Sequence, residues 1–231
     1  MRRILFRLTL MLSVAFFVSL ARGQDGKAPI APLRLDSTDG LELVNAKPEF
    51  VTYRGQRALR LAPFPGHETG DDAMLAVLTG TDFKDGTIEV EVAGAPRPGV
   101  APDMRGFIGV MFRVQDHGER AENFYLRPTN GRADDQLRRN HSVQYESAPD
   151  FPWYRLRKEN PGVYESYVDL EAGAWTRMKI VVSGTKARLY VNGADQPCLI
   201  VNDLKRGETH GQIALWAHVA TDAYFSNLAV K

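Results

Sequence analysis

The 231-residue chain carries 29 Lys and Arg against 28 Asp and Glu, a net charge of +1. So even a balance gives no general attraction for nucleic acid or for an anionic membrane surface, and neither partner is expected. A single cysteine, Cys198, excludes an intramolecular disulfide and a thiolate metal cluster, and in its apolar stretch it reads as a small buried hydrophobe.

The chain opens with three arginines, Arg2, Arg3 and Arg7, followed by an apolar run from Leu8 to Leu20 and then the small residues Ala21 and Gly23. This is the three-part layout of a secretory signal peptide, cleaved before Gln24. About thirteen apolar residues fall well short of the roughly 20 a membrane-spanning helix needs. The expected location is therefore secreted or periplasmic, with no membrane contact once residues 1–23 are removed. Their loss leaves 208 residues with 25 basic and 28 acidic side chains, a charge of about −3. Residues 24–33 read as a polar, proline-containing leader, and residues 34–231 suit one all-β domain.

Beyond the leader no amphipathic helix is predicted. Short strand-like runs recur, punctuated by Gly, Pro, Asn and Asp. They are Ala58–Ala62, Ala73–Leu78, Gly86–Val92, Phe107–Val114, Asn123–Arg127, His141–Tyr145, Trp175–Val182, Lys186–Val191, Gln212–Ala217 and Tyr224–Val230. This pattern predicts an all-β fold, a two-sheet antiparallel β-sandwich. Alternation assigns faces within each strand. Ile88, Val90 and Val92 point to a core, as do Ile108, Val110, Phe112 and Val114, then Phe124 and Leu126. Met178, Ile180 and Val182 oppose Ala187, Leu189 and Val191 as core layers. The opposite parity puts Arg113, Asn123, Tyr125, Arg127, Trp216 and His218 on an outer face. Ser147–Val163, rich in proline, aromatic and basic residues, reads as a long loop of the kind that carries function.

Several of these segments resemble a known pattern. Phe83–Val92 and Gly109–Arg113 are similar to the strands that open laminin G-like domains; Trp175–Val182, Ala187–Gly193, Gly211–Trp216 and Ala223–Leu228 continue it. The resemblance spans roughly residues 34–231 and is to concanavalin A-like lectin/glucanase domains. It is closest to the branch described as 3-keto-disaccharide hydrolase or glycoside hydrolase family 16-like. It implies a jelly-roll sandwich that binds or cleaves glycans. The Glu-x-Asp-x-(x)-Glu catalytic strand of family 16 glucanases is absent from this sequence.

The outer-face set, Arg113, Asn123, Tyr125, Arg127, Gln144, Trp216 and His218, mixes aromatic rings with amide and guanidinium donors. Sugars call for that mixture, since their ring faces stack on aromatics and their hydroxyls seek polar partners. Two arginines further suit a carboxylate or an oxidised sugar. Trp153 and Tyr154, in the proline-rich loop, are expected to cover this face. Glycosidic hydrolysis ordinarily uses two carboxyl groups. Glu89 and Glu91 lie about 6.6 Å apart along one strand face at ~3.3 Å per residue, though a strand with one wet face looks the same. Glu146, Asp150, Glu165 and Asp169 near the aromatic loop are equally arguable, and Glu89, Glu146 and Asp169 are the catalytic candidates carried forward. The five histidines lack zinc-site spacing. Asp71-Asp72 and Asp134-Asp135 offer oxygens of the calcium-binding kind, but solvated turns account for them better. No cofactor is expected. The sequence leaves open a carbohydrate-processing enzyme, a lectin-like module without catalysis, and a protein-interaction module using the same aromatics.

Overall fold

A computed structural model describes residues 33–231. The signal peptide and almost all of the leader therefore lie outside the described residues. Among those residues the chain runs β1 (Leu41–Val44), β2 (Ala46–Tyr53), β3 (Gln56–Pro63), β4 (Ala73–Phe83), β5 (Gly86–Pro96), β6 (Ile108–Gln115) and β7 (Arg120–Leu126). It continues through α1 (Gln136–Arg139), β8 (Val143–Ala148), α2 (Trp153–Glu159), β9 (Glu165–Ser166), β10 (Thr176–Ser183) and β11 (Lys186–Val191). The last elements are β12 (Leu199–Val201), β13 (Gly211–His218) and β14 (Thr221–Val230).

All ten predicted strands are present, and β1, β2, β9 and β12 join them. The first sheet has the order β1-β4-β13-β6-β7-β8-β9 and the second β12-β11-β10-β5-β14-β3-β2, with every pairing antiparallel. The all-β, two-sheet sandwich expected from the turn spacing is the fold.

The strands form where period-two alternation lets each sheet bury one face. From the second sheet, Ile88, Val90 and Val92 meet the layers Met178/Val191, Ile180/Leu189 and Val182/Ala187, all of them buried. From the first sheet come Met74, Leu78, Val110, Phe112, Phe124, Ile213 and Leu215. A run of aromatic contacts crosses this core, with ring centroids 6.1 Å apart for Phe112–Phe124 and 5.5 Å for both Phe124–Tyr145 and Tyr145–Tyr164. The β2–β3 hairpin closes through Arg54-Gly55, both at positive φ (47° and 80°), the two-residue geometry that follows strand twist.

Two expectations need correction. The stretch Ser147–Val163 is not wholly loop: after Pro152, whose φ of −67° leads into a helix, it coils into α2. Trp153, Leu156 and Arg157 then share the face turned to the first sheet, with Leu156 fully buried. In β6 the alternation breaks at Arg113, where φ is +54° and the pairing with β7 slips between Phe112 and Gln115. This β-bulge reverses the parity beyond it. Val114 joins the outer apolar cluster instead of the core, and Arg113 turns inward.

Candidate functional site

The outer face of the first sheet is built in rows set by strand register. Trp216, Gly109, Tyr125, Gln144 and Glu165 stand side by side on β13, β6, β7, β8 and β9. The adjacent row holds Ala214, Met111, Asn123 and Glu146. Neighbours across antiparallel strands have Cβ atoms about 5 Å apart, so each row is a line of touching groups. Gly109 keeps the first row level: a Cβ there would lie 2.7 Å from the Tyr125 Cβ. Across that glycine the rings of Tyr125 and Trp216 meet, with centroids 5.0 Å apart.

The second row ends in a carboxyl. The Asn123 side-chain amide donates to Glu146 Oε1 at 3.1 Å, and the Trp153 backbone N–H approaches Oε2 at 3.4 Å. Burial raises the Glu146 pKa above the ordinary carboxylate value, although the hydrogen bonds from Asn123 and Trp153 and the charge of Arg127 oppose this. Such a carboxyl is suited to giving and taking protons. Beside it, Gln144 donates to the backbone carbonyls of Tyr145 (2.8 Å) and Tyr164 (3.1 Å). The Asn123 Oδ1 and Gln144 Oε1 atoms are buried without a protein partner. Buried acceptors are ordinarily paired with protein or with ordered water, which marks these two oxygens as the polar points of the face.

Arg127 closes the polar end. Its guanidinium donates to the Tyr125 hydroxyl at 2.9 Å and to the His141 carbonyl at 3.2 Å. It lies 5.1 Å from the Tyr125 ring centre and 5.6 Å from that of Trp153. Arg157 approaches the same indole at 4.7 Å, so Trp153 is held by two guanidinium groups. The Tyr125 hydroxyl, pushed up strongly by burial, keeps its proton.

Of the side chains singled out in the sequence, Asn123, Tyr125, Arg127, Gln144, Trp153 and Trp216 come together here, with Glu146 among them. His218 lies along β13 from Trp216, against Phe107 (5.6 Å) and with the Ala220 N–H donating to its Nδ1 at 3.0 Å; burial lowers its pKa. Tyr154 sits beside Trp153 (5.8 Å) but points to solvent. Arg113 does not belong to the set. It is fully buried at the end of the sandwich, donating to the carbonyls of Lys84 (2.8 Å), Gly184 (2.7 Å) and Gly207 (2.7 Å). The bulge turned it away from the face. Glu89 faces out from the second sheet and pairs with Lys231 at 3.1 Å, in a shallow hollow with Arg177, Lys179 and Tyr190. Asp169 is an exposed rim group whose hydrogen bond from Arg132 (2.9 Å) lowers its pKa. The acidic pairs are otherwise engaged: Asp72 meets His67 at 3.0 Å, and Asp135 caps α1. No cluster of three or more His, Cys, Asp or Glu side chains suited to a metal ion occurs among the described residues.

Reading the sequence did not anticipate that a cleft of about 690 Å³ opens where β9, α1 and α2 meet the sheet edge. Its wall includes Leu137, Pro161 and Tyr167, and its floor His141, Arg157 and Glu165. Arg157 grips both carboxylate oxygens of the nearly buried Glu165 at 2.6–3.0 Å, and His141 Nε2 lies 3.3 Å from the same carboxylate. Burial lowers the His141 pKa despite that neighbour. The histidine spacing carried no signal for this group, because β9 is two residues long and unrecognisable before pairing.

The fold is similar to that of several solved structures, all at low sequence identity. One is the carbohydrate binding module CBM66 from Bacillus subtilis, with a TM-score of 0.56, 15% identity, and coverage of 83% of this chain and 95% of that one. A second is a protein of unknown function with a galectin-like fold, also from Bacillus subtilis, at TM-score 0.54 and 13% identity over 84% of this chain and 89% of that one. The carbohydrate recognition domain of Emp46p, in a mutant form, matches at TM-score 0.54 and 12% identity, covering 84% of this chain and 88% of that one. No curated protein matches the chain. The sequence pattern of one family does match, over residues 56–231, most of the sandwich with its rows and its cleft: the chain belongs to the 3-keto-alpha-glucoside-1,2-lyase-like domain family.

Proposed function

We propose that this chain is an exported carbohydrate-processing domain that takes a 3-keto glucoside-type sugar on the outer face of the first sheet and moves a proton through Glu146. The observation that carries this reading is the row Met111–Asn123–Glu146: a carboxyl with a raised pKa beside two buried, unpartnered amide oxygens. The family match and the similarity to carbohydrate-binding sandwiches support the ligand class. The signal-peptide pattern of residues 1–23 supports export, and the near-neutral charge supports a partner other than nucleic acid or membrane.

Each part has a use. Trp153, 40% exposed, offers a surface on which a sugar ring stacks, backed by the buried rings of Tyr125 and Trp216, while the buried Asn123 and Gln144 oxygens are the unpaired acceptors beside Glu146. A ketone at C3 makes the proton at C2 acidic. In a 1,2-elimination a base takes that proton, the C2–H electrons pass onto the C3 oxygen as an enolate, and their return forms the C1=C2 bond. The C1–O bond then breaks towards its oxygen, which picks up a proton. Glu146 is the proton-transfer group we assign, and Arg127 supplies positive charge for the developing enolate oxygen. Glu89 and Asp169 are set aside for this role, being on the far sheet and on the solvated rim respectively.

The test is turnover of 3-keto glucosides, one with a sugar and one with an aryl leaving group, by the chain beginning at Gln24. Glu146→Gln is expected to lower kcat by about 100-fold or more, with sugar affinity held within a few-fold. Wild-type turnover in that variant overturns the assignment. Saturable sugar binding without turnover in the wild type would make the same face a lectin site.

A further inference from the structure

We infer that the cleft between α1, α2 and β9 is an aglycone subsite for an uncharged apolar or aromatic group, rather than a place for a second sugar. The inference rests on the reading of the sheet face as the sugar site and extends it to what the sugar is attached to.

The cleft lies beside that face. Glu165 on its floor is the register neighbour of Gln144, and Arg157, which grips Glu165, lies against Trp153, whose N–H reaches Glu146. Its volume of about 690 Å³ falls within the range of small-molecule sites.

Its chemistry favours an apolar group, because the charged groups on its floor are largely engaged with one another. Arg157 and His141 are committed to Glu165. The Asn140 Oδ1 accepts from Gln136 at 2.8 Å, and the Ser166 hydroxyl donates to the Cys198 carbonyl. A second sugar entering here would find fewer partners for its hydroxyls than water gives them, whereas an apolar group loses nothing. The wall, by contrast, is apolar and open to solvent. Leu137 is 67% exposed and Tyr167 42%, and Pro161 stands between α2 and β9. Two of the exposed large hydrophobic residues, Leu137 and Tyr167, thus line the same cleft, and the exposed Trp153 lies next to it against Arg157. Concentration of exposed apolar groups at one concave place marks a binding site. The wall is also set in advance: Arg139 donates to the Tyr167 hydroxyl at 3.0 Å and lies 5.0 Å from its ring centre, which fixes the ring plane.

The experiment is an NMR titration of the chain beginning at Gln24 with 4-nitrophenol at about pH 5.5, where the phenol is uncharged, repeated in the presence of glucose. Both Leu137 and Tyr167 are exposed, so Leu137→Asn and Tyr167→Ala leave the core untouched. Saturable binding is expected, weakened about threefold or more by each substitution and about tenfold by the two together, with no competition from glucose. Absence of saturable binding, unchanged affinity in the double variant, or displacement by glucose overturns the inference. Because 4-nitrophenol carries no sugar, this result stands apart from the turnover of Glu146→Gln: either site assignment can fail while the other holds.

Discussion

Glu146 is under two opposed demands. Proton transfer is served by a pKa near the working pH, whereas the fold is served by keeping a half-buried carboxyl uncharged. Its folded pKa lies above the ordinary 4.5, so the folded state binds this proton more tightly than the unfolded state does. The fold therefore carries no penalty from Glu146 below about pH 4.5, and a growing one as pH rises through the folded value. Glu146→Gln removes the titration. Its melting temperature is expected to exceed that of the wild type at pH 7. The difference should close as pH falls below about 4.5; thermal unfolding followed across pH 4–8 measures it. A variant that loses turnover while gaining stability would mark Glu146 as a group kept for its chemistry.

The element that most changed the reading of the site is β6. One residue with φ of +54° makes the strand bulge, and everything beyond it exchanges faces. Arg113 thereby becomes a fully buried clamp, joining the β4–β5 turn at Lys84, the β10–β11 turn at Gly184 and the approach to β13 at Gly207. Arg113→Met would keep much of the volume but strand three carbonyls. The expected loss of stability is about 3–5 kcal/mol, measurable by denaturant unfolding. The same change in an exposed sugar contact would cost almost nothing in stability. Helix α2 teaches a related point. Its seven residues hold too few apolar positions for periodicity to register, yet Trp153, Leu156 and Arg157 at spacings of three and four bring one face onto the sheet.

At the scale of the molecule, the site exists only because strands distant in sequence become neighbours. β13 lies between β4 and β6, so Trp216 reaches Tyr125 across Gly109. Two residues of β9 extend the sheet far enough to put Glu165 beside Gln144. The described residues form a two-sheet sandwich with a core of their own. The chain beginning at Gln24 is accordingly expected to melt within about 1 °C of the full chain. Exported protein is expected to begin at Gln24 on amino-terminal sequencing; retention of residues 1–23 would overturn the export reading.

Alternation along the chain was enough to determine the two-sheet sandwich, its ten main strands and most of its core, because a strand that hides one face must repeat every second residue. The same rule located Asn123, Tyr125, Gln144 and Trp216 on an outer face. Parity is a local property, so it could not foresee a backbone rotation at one residue, and Arg113 was assigned to the wrong side. Nor could it rank Glu89, Glu146 and Asp169. All three are acids among polar residues in the sequence, and only packing decides which is desolvated. The second sheet leaves Glu89 beside Lys231 and the rim leaves Asp169 beside Arg132, while α2 closes over Glu146. The cleft of His141, Arg157 and Glu165 was likewise settled by tertiary structure alone, since its walls come from separate elements whose shared geometry arises only on folding.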